Sequence, residues 1–117
     1  MPNSFFNNSD IIYSYTRANA LADGVLVDCT EAARKVGFSV PLAISEAAYL
    51  TLDPEGEEFA ANLALLVSTA RNELPRHENT PRFRFQIPSL SKKEFILDIG
   101  PGDSGEPVLT LGFNTDF

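Results

Sequence analysis

The sequence predicts an α+β fold in which a small antiparallel three-stranded sheet, built from the C-terminal half, packs with one long helix and several short N-terminal helices. Three observations predict it. Phe59, Leu63, Leu66, Val67, Ala70 and Leu74 recur at steps of four, three, one, three and four, which sets all six on one helical face. Arg82 to Ile87 alternates strictly, with Phe83, Phe85 and Ile87 on one side and Arg82, Arg84 and Gln86 on the other. The apolar runs at 82–87, 93–99 and 108–113 are joined by connections too short for a parallel crossover, so they form a meander on the long helix.

The elements follow in order. Residues 1–10, rich in Asn and Ser, read as a loose arm that Phe5 and Phe6 could pin to the core. Ile11 to Tyr15 is aromatic and β-branched and reads as a short extended segment. Thr16 caps a short helix that Gly24 ends in a left-handed turn. Val25-Leu26-Val27 is extended in character. Asp28 or Thr30 caps the next helix, which carries Glu31 in its first turn, Arg34 and Lys35 in its last and Gly37 just beyond. Phe38 to Ile44 contains Pro41 and reads as irregular or as an edge segment rather than a central strand. Ser45 to Leu50 is a further helical turn or two. Asp53 suits the N-cap of the long helix and Pro54 its first position, while Pro75 marks its end. A polar loop held between Pro75 and Pro81 leads into the strands, where Phe95, Leu97 and Ile99 point inward. Glu94 and Asp98 share the outer face with Ile96 and stand opposite Arg82 and Arg84.

Composition bounds the function. The chain has 117 residues, of which 44% are apolar, and reads as a single domain over 1–117. Its net charge of −7 argues against a protein that holds nucleic-acid phosphates, since such binding draws on Lys and Arg. The longest apolar run, Val36 to Ser45, is about half of what a bilayer requires. The N-terminus shows no secretory pattern, so a cytoplasmic protein without a membrane partner is expected. One Cys and one His leave no disulfide and no Cys/His zinc site, and neither metal nor cofactor is expected.

Each candidate for chemistry has a plainer alternative. His77 lies between Arg76 and Glu78 in a Pro-bounded loop without a flanking partner motif, and reads as solvated. Cys29 precedes a helix, where the dipole lowers a thiol pKa, but Asp28 and Glu31 oppose this and it reads as a small buried hydrophobe. The loop Gly100 to Pro107 has glycines like a phosphate cradle. A strand follows it, however, two prolines remove donors, and Asp103 and Glu106 repel phosphate, so its glycines serve a wide β connection. Ser104 has no base near it, and no nucleophile signature occurs, so no enzyme activity is expected. Tyr13, Tyr15 and Arg17, with Asp23 and Asp28, either form a small-ligand or regulatory site or are core tyrosines with Arg17 as their partner.

Charge is distributed in blocks. From Val36 to Ala70 there is no Lys or Arg, and Glu46, Asp53, Glu55, Glu57 and Glu58 fall there. A cationic stretch with Arg71, Arg76, Arg82, Arg84, Lys92 and Lys93 follows, and then a second acidic block. Such blocks serve either as a solvated helix start with cross-strand ion pairs or as an anionic surface that steers onto a basic partner.

Two stretches, I-Y-S-Y-T-R-A-N-A-L-A-D-G-V-L-V-D-C-T-E-A-A-R-K-V-G-F from Ile12 to Phe38 and L-D-I-G-P-G-D-S-G-E-P-V-L-T-L from Leu97 to Leu111, together resemble a family of small proteins of unknown function found on bacterial plasmids, phages and other mobile elements. With P-L-A-I-S-E-A-A-Y between them, the resemblance covers about half of the chain. Members of that family carry Trp in place of Tyr49 and a longer segment than Thr51 to Pro81. The resemblance implies a mobile-element setting, in which small acidic proteins block host restriction or CRISPR complexes. The expected function is a non-catalytic module that binds a host protein or nucleoprotein complex through its basic surface. Asp53, Glu55, Glu57 and Glu58 form the partner-binding patch, with Asp103 and Glu106 as a second one. The alternative is an accessory protein with a regulatory or small-ligand role around Tyr13, Tyr15 and Arg17.

Overall fold

The computed structural model describes residues 15–77 and 80–117, the side chain of His77 excepted. The arm predicted at 1–10, Phe5 and Phe6 within it, and the extended segment up to residue 14 with Tyr13 lie outside the described residues, as does the expectation of a solvated His77 side chain. The described elements are α1 (Arg17–Ala22), β1 (Leu26–Asp28), α2 (Thr30–Lys35), β2 (Leu42–Ser45), α3 (Glu46–Leu50), α4 (Phe59–Glu73), β3 (Arg82–Phe85), β4 (Phe95–Pro101) and β5 (Pro107–Phe113). Single 3-10 turns at Leu74–His77 and Asn114–Asp116 follow α4 and β5.

The fold is α+β, as the pattern predicts, and β3, β4 and β5 form the expected antiparallel meander. Arg82 pairs with Asp98 in register, and the Arg82 Nε–Asp98 Oδ1 distance is 2.9 Å. The sheet is nevertheless larger than the predicted three strands. It has five, in the order β1-β2-β5-β4-β3, and it is mixed, because β2 runs parallel to β5 with Leu42 beside Leu109 and Ile44 beside Leu111. Pro41 does not exclude β2 from the interior. It stands one residue before the strand and contributes only its carbonyl, which accepts the Leu109 N–H at 2.9 Å. All four residues of β2 are buried, as expected for an inner strand covered on both faces, so there is no alternation to read.

One sheet face carries Leu42, Ile44, Phe83, Phe85, Phe95, Leu97, Leu109, Leu111 and Phe113, and these join Leu66, Val67 and Ala70 of α4 and Ala33 of α2 in a single core. The predicted helical face is therefore correct, with Phe59, Leu63 and Leu74 packed partly exposed at its margin. The aromatic rings of Phe85, Phe95 and Phe113 follow one another at centroid spacings of 5.8 and 5.1 Å. α1 reaches the opposite face, where Arg17 meets Thr110.

Local signals account for most helix ends. The Thr16 hydroxyl accepts the Asn19 N–H at 3.0 Å, and Gly24 takes φ 79° after α1. Ser45 caps α3 by accepting the Ala48 N–H at 3.2 Å. The cap position of α2 belongs to Cys29, whose side chain makes no capping bond, while Asp28 accepts the Thr30 N–H at 3.2 Å. The start of α4 departs from the prediction. Asp53 adopts φ 56°, outside the extended region an N-cap uses, and its carbonyl accepts the Gly56 N–H at 2.9 Å. The chain turns through 54–58, and the helix begins only at Phe59.

Candidate functional site

Asp53, Glu55, Glu57 and Glu58 all lie in the connection between α3 and α4, and all four are exposed. Two anchors hold this connection to the fold: Leu52 is fully buried in the core, and the Asn62 amide of α4 donates to the Leu52 carbonyl at 3.0 Å. The Asp53 carboxylate folds back over Gly56, where an added Cβ would collide with its Oδ2. Among the described residues no Lys or Arg forms an ion pair with these four carboxylates. The connection is thus a turn-rich acidic surface whose charge no cation among the described residues pairs with.

Asp103 and Glu106 are placed elsewhere. They occupy the turn between β4 and β5, which precedes β5, whereas α3 leaves the sheet at the end where β5 finishes, because β2 and β5 are parallel. A strand of seven residues, about 20 Å at the usual rise, separates the two attachment points. Both carboxylates of the turn are engaged inside the chain. Asp103 accepts the backbone N–H groups of Arg17 at 2.8 Å and Ala18 at 3.0 Å, and Glu106 accepts that of Ser104 at 2.9 Å. Gly105 takes φ 84°, and the Gly102 and Glu106 backbones close the turn at 2.6 Å, the wide β connection the glycines predict.

Two cations of the basic stretch, Arg82 and Arg84, are paired with carboxylates across their own hairpin. Arg82 pairs with Asp98 and lies 4.8 Å from the Phe117 ring centroid, and Arg84 stands 3.8 Å from Glu94. Lys93 lies over the Phe113 ring and Arg71 near that of Phe38.

Tyr15 and Arg17 do not form a core cluster. Tyr15 is 52% exposed and donates its hydroxyl to Asp23 at 3.0 Å. Arg17 turns onto β5 instead, donating to the Thr110 hydroxyl at 2.8 Å and the Leu109 carbonyl at 2.7 Å. Burial lowers its pKa, while Asp103, Asp28, Glu106 and Asp98 act against that and favour the charged form. Cys29 is buried, and that burial, helped by Asp28, pushes its thiol up to about 11, which suits the small hydrophobe the sequence predicts.

One feature escaped the sequence pattern. The first half of α4 and α2 leave a groove between them, two adjoining depressions of about 250 and 340 Å³ that share Glu31, Ala32, Phe59 and Leu63. Phe59 and Leu63 read in sequence only as core positions. Spacing along a helix cannot tell full burial from half burial beside a short neighbouring helix.

Among the described residues no group of three or more His, Cys, Asp or Glu side chains could hold a metal, and no helix is long and apolar enough to cross a membrane. No family model, no curated protein and no solved structure matches this chain.

Proposed function

We propose that this chain is a non-catalytic acidic module that binds another protein through Asp53, Glu55, Glu57 and Glu58. The observation that carries this reading is an asymmetry of compensation. Arg82 and Arg84 face carboxylates across their own hairpin, whereas the four carboxylates at 53–58 have no cationic partner among the described residues. Uncompensated charge on a fixed turn projects a field that speeds encounter with an oppositely charged surface and fixes its orientation. Asp103 and Glu106 contribute to that field at longer range while holding the β4–β5 turn and α1.

The densest basic surfaces on proteins are those that handle nucleic acid. The resemblance of Ile12–Phe38 and Leu97–Leu111 to proteins of plasmids and phages supports a host defence complex, of restriction or CRISPR type, as the target. The module occludes its nucleic-acid-binding surface in the cytoplasm. The test is the survival of phage or plasmid DNA in a host with such a system active, with and without this chain. The decisive variant combines Asp53→Asn with Glu55→Lys, Glu57→Lys and Glu58→Lys. Asn is chosen at 53 because it tolerates the left-handed backbone there. Protection is expected to disappear while thermal unfolding stays nearly unchanged. Protection that survives the variant overturns the reading.

A further inference from the structure

We propose that the groove between α2 and α4 docks a short basic segment of the partner protein, which seats large apolar side chains on Ala32, Phe59 and Leu63 and turns its Lys or Arg side chains to Glu31, Glu57 and Glu58. This deepens the acidic-module reading and rests on it for the sign of the partner's charge. The floor of the groove is apolar, with Val36 and the small Ala60 and Ala64 leaving it open, and each depression has room for one large side chain. Charge complementarity selects the occupant. Asp28 and Glu31 line one depression, and Glu57 and Glu58 immediately precede Phe59, which lines both. Lys35 also lines the second depression, so the groove's lining carries two carboxylates, Asp28 and Glu31, against one ammonium.

The rim is poised for exchange. Glu31 is 81% exposed and meets Arg34 at 2.9 Å in a surface pair, which an incoming cation displaces at little cost. Anionic lipid and nucleic acid are repelled by the same carboxylates, and a second copy of a chain with net charge −7 meets self-repulsion. An apolar segment with interspersed Lys or Arg satisfies both the floor and the rim, the anchor-and-rim pattern of helix and peptide grooves.

The experiment titrates the full chain with a short peptide of alternating Lys and Phe, and with its Glu–Phe counterpart, followed by amide chemical shifts and fluorescence anisotropy. The expected result is saturable binding of the Lys–Phe peptide with shifts at Ala32, Val36 and Phe59 to Ala64, and none for the Glu–Phe peptide. Ala60→Gln with Ala64→Gln fills the groove from exposed positions on α4 and is expected to weaken binding by about tenfold or more. The rim variant Glu31→Lys, Glu57→Lys, Glu58→Lys is expected to do the same. Binding that shifts only 53–58 and ignores the Gln pair overturns the groove while leaving the acidic surface intact. Absence of peptide binding also overturns it, and the DNA-survival assay then judges the wider reading separately. Groove shifts that grow with protein concentration in the absence of peptide overturn it in favour of a second copy.

Discussion

Asp103 closes the N-terminus of α1 from 86 residues away: its two carboxylate oxygens accept the backbone N–H groups of Arg17 and Ala18, one each, at 2.8 and 3.0 Å. Thr16 satisfies only the Asn19 N–H, so without Asp103 two of the first donors of α1 would face water. A carboxylate there also complements the positive end of the helix dipole. Asp103→Ala is therefore expected to lower unfolding free energy by about 1–2 kcal/mol. Asp103→Asn, which keeps one acceptor oxygen, is expected to cost less. Urea unfolding checks this as a lower midpoint with an unchanged slope, and an unchanged midpoint for the Ala variant would show that the link carries no stability.

The glycines of β5 and of the turn before it make opposite predictions. A Cβ at Gly112 would stand 2.9 Å from Asp116 Oδ2, 3.1 Å from Ser45 Oγ and 3.2 Å from Phe117 Cε2. Those atoms are already committed, since Asp116 Oδ2 accepts both the Ser45 hydroxyl and the Phe113 N–H at 2.7 Å. Gly112→Ala must displace that carboxylate, and about 1–3 kcal/mol of destabilisation is expected. At Gly102 the added Cβ meets the Glu106 carboxyl at 2.6 Å, but this is the free end of an exposed side chain that can swing away and give up one hydrogen bond to Ser104. Gly102→Ala is expected to cost below about 1 kcal/mol. The pair measured together by thermal unfolding separates crowding against a bonded group from crowding against a mobile one.

These cases show what the sequence could and could not tell. β3 was legible because Phe83 and Phe85 alternate with Arg82 and Arg84, and its burial alternates likewise, whereas β4 departs from the pattern: Ile96, expected on the outer face with Glu94 and Asp98, is buried at 1% exposure. β2 was not legible, because an inner strand beside a parallel neighbour has no polar face to mark it, and Pro41 next to it drew the reading toward an edge. The start of α4 was misplaced because Asp-Pro-Glu satisfies the general rules for a helix beginning, while Asp53 takes a left-handed backbone directly after the buried Leu52 and so cannot serve as the N-cap. The acidic surface was visible as composition. That Asp53, Glu55, Glu57 and Glu58 have no cationic partner among the described residues while Asp103 reaches the backbone of α1 depends on the long-range placement of elements, which no local pattern encodes.

The pair Arg82–Asp98 tests how much the compensation of the cationic strand matters. Its side chains are 52% and 25% exposed, so the pair is largely screened, and a double-mutant cycle is expected to give a coupling of about 0–1 kcal/mol that fades in 1 M salt. Arg82 also lies over the Phe117 ring at 4.8 Å, so Arg82→Ala is expected to cost more than Asp98→Asn, and Phe117→Leu should narrow that gap. A coupling well above 1 kcal/mol that persists in high salt would mean the strand depends on this ion pair for its stability.

Cys29 gives the clearest dependence on pH. Burial first, and then the negative charge of Asp28, pushes its thiol from an ordinary 9.0 up to about 11. Below about pH 8 the thiol is essentially protonated in both the folded and the unfolded chain, and the group makes no pH-dependent contribution. Above that, the unfolded thiol ionises first, because the folded value is the higher one. Stability is therefore expected to fall as pH rises from about 9 to about 11, and then to level off, with a total loss of about 2–3 kcal/mol from a two-unit shift at a site only 7% exposed. Other groups titrate in that range, so the measurement is the difference between the unfolding free energies of the native chain and Cys29→Ala across it. The same burial predicts that a thiol reagent at pH 8 modifies Cys29 far more slowly than in the unfolded chain, at a rate that rises with sub-denaturing urea. Modification as fast as in the unfolded chain, with no pH-dependent difference from Cys29→Ala, would show the thiolate to be freely accessible at the start of α2.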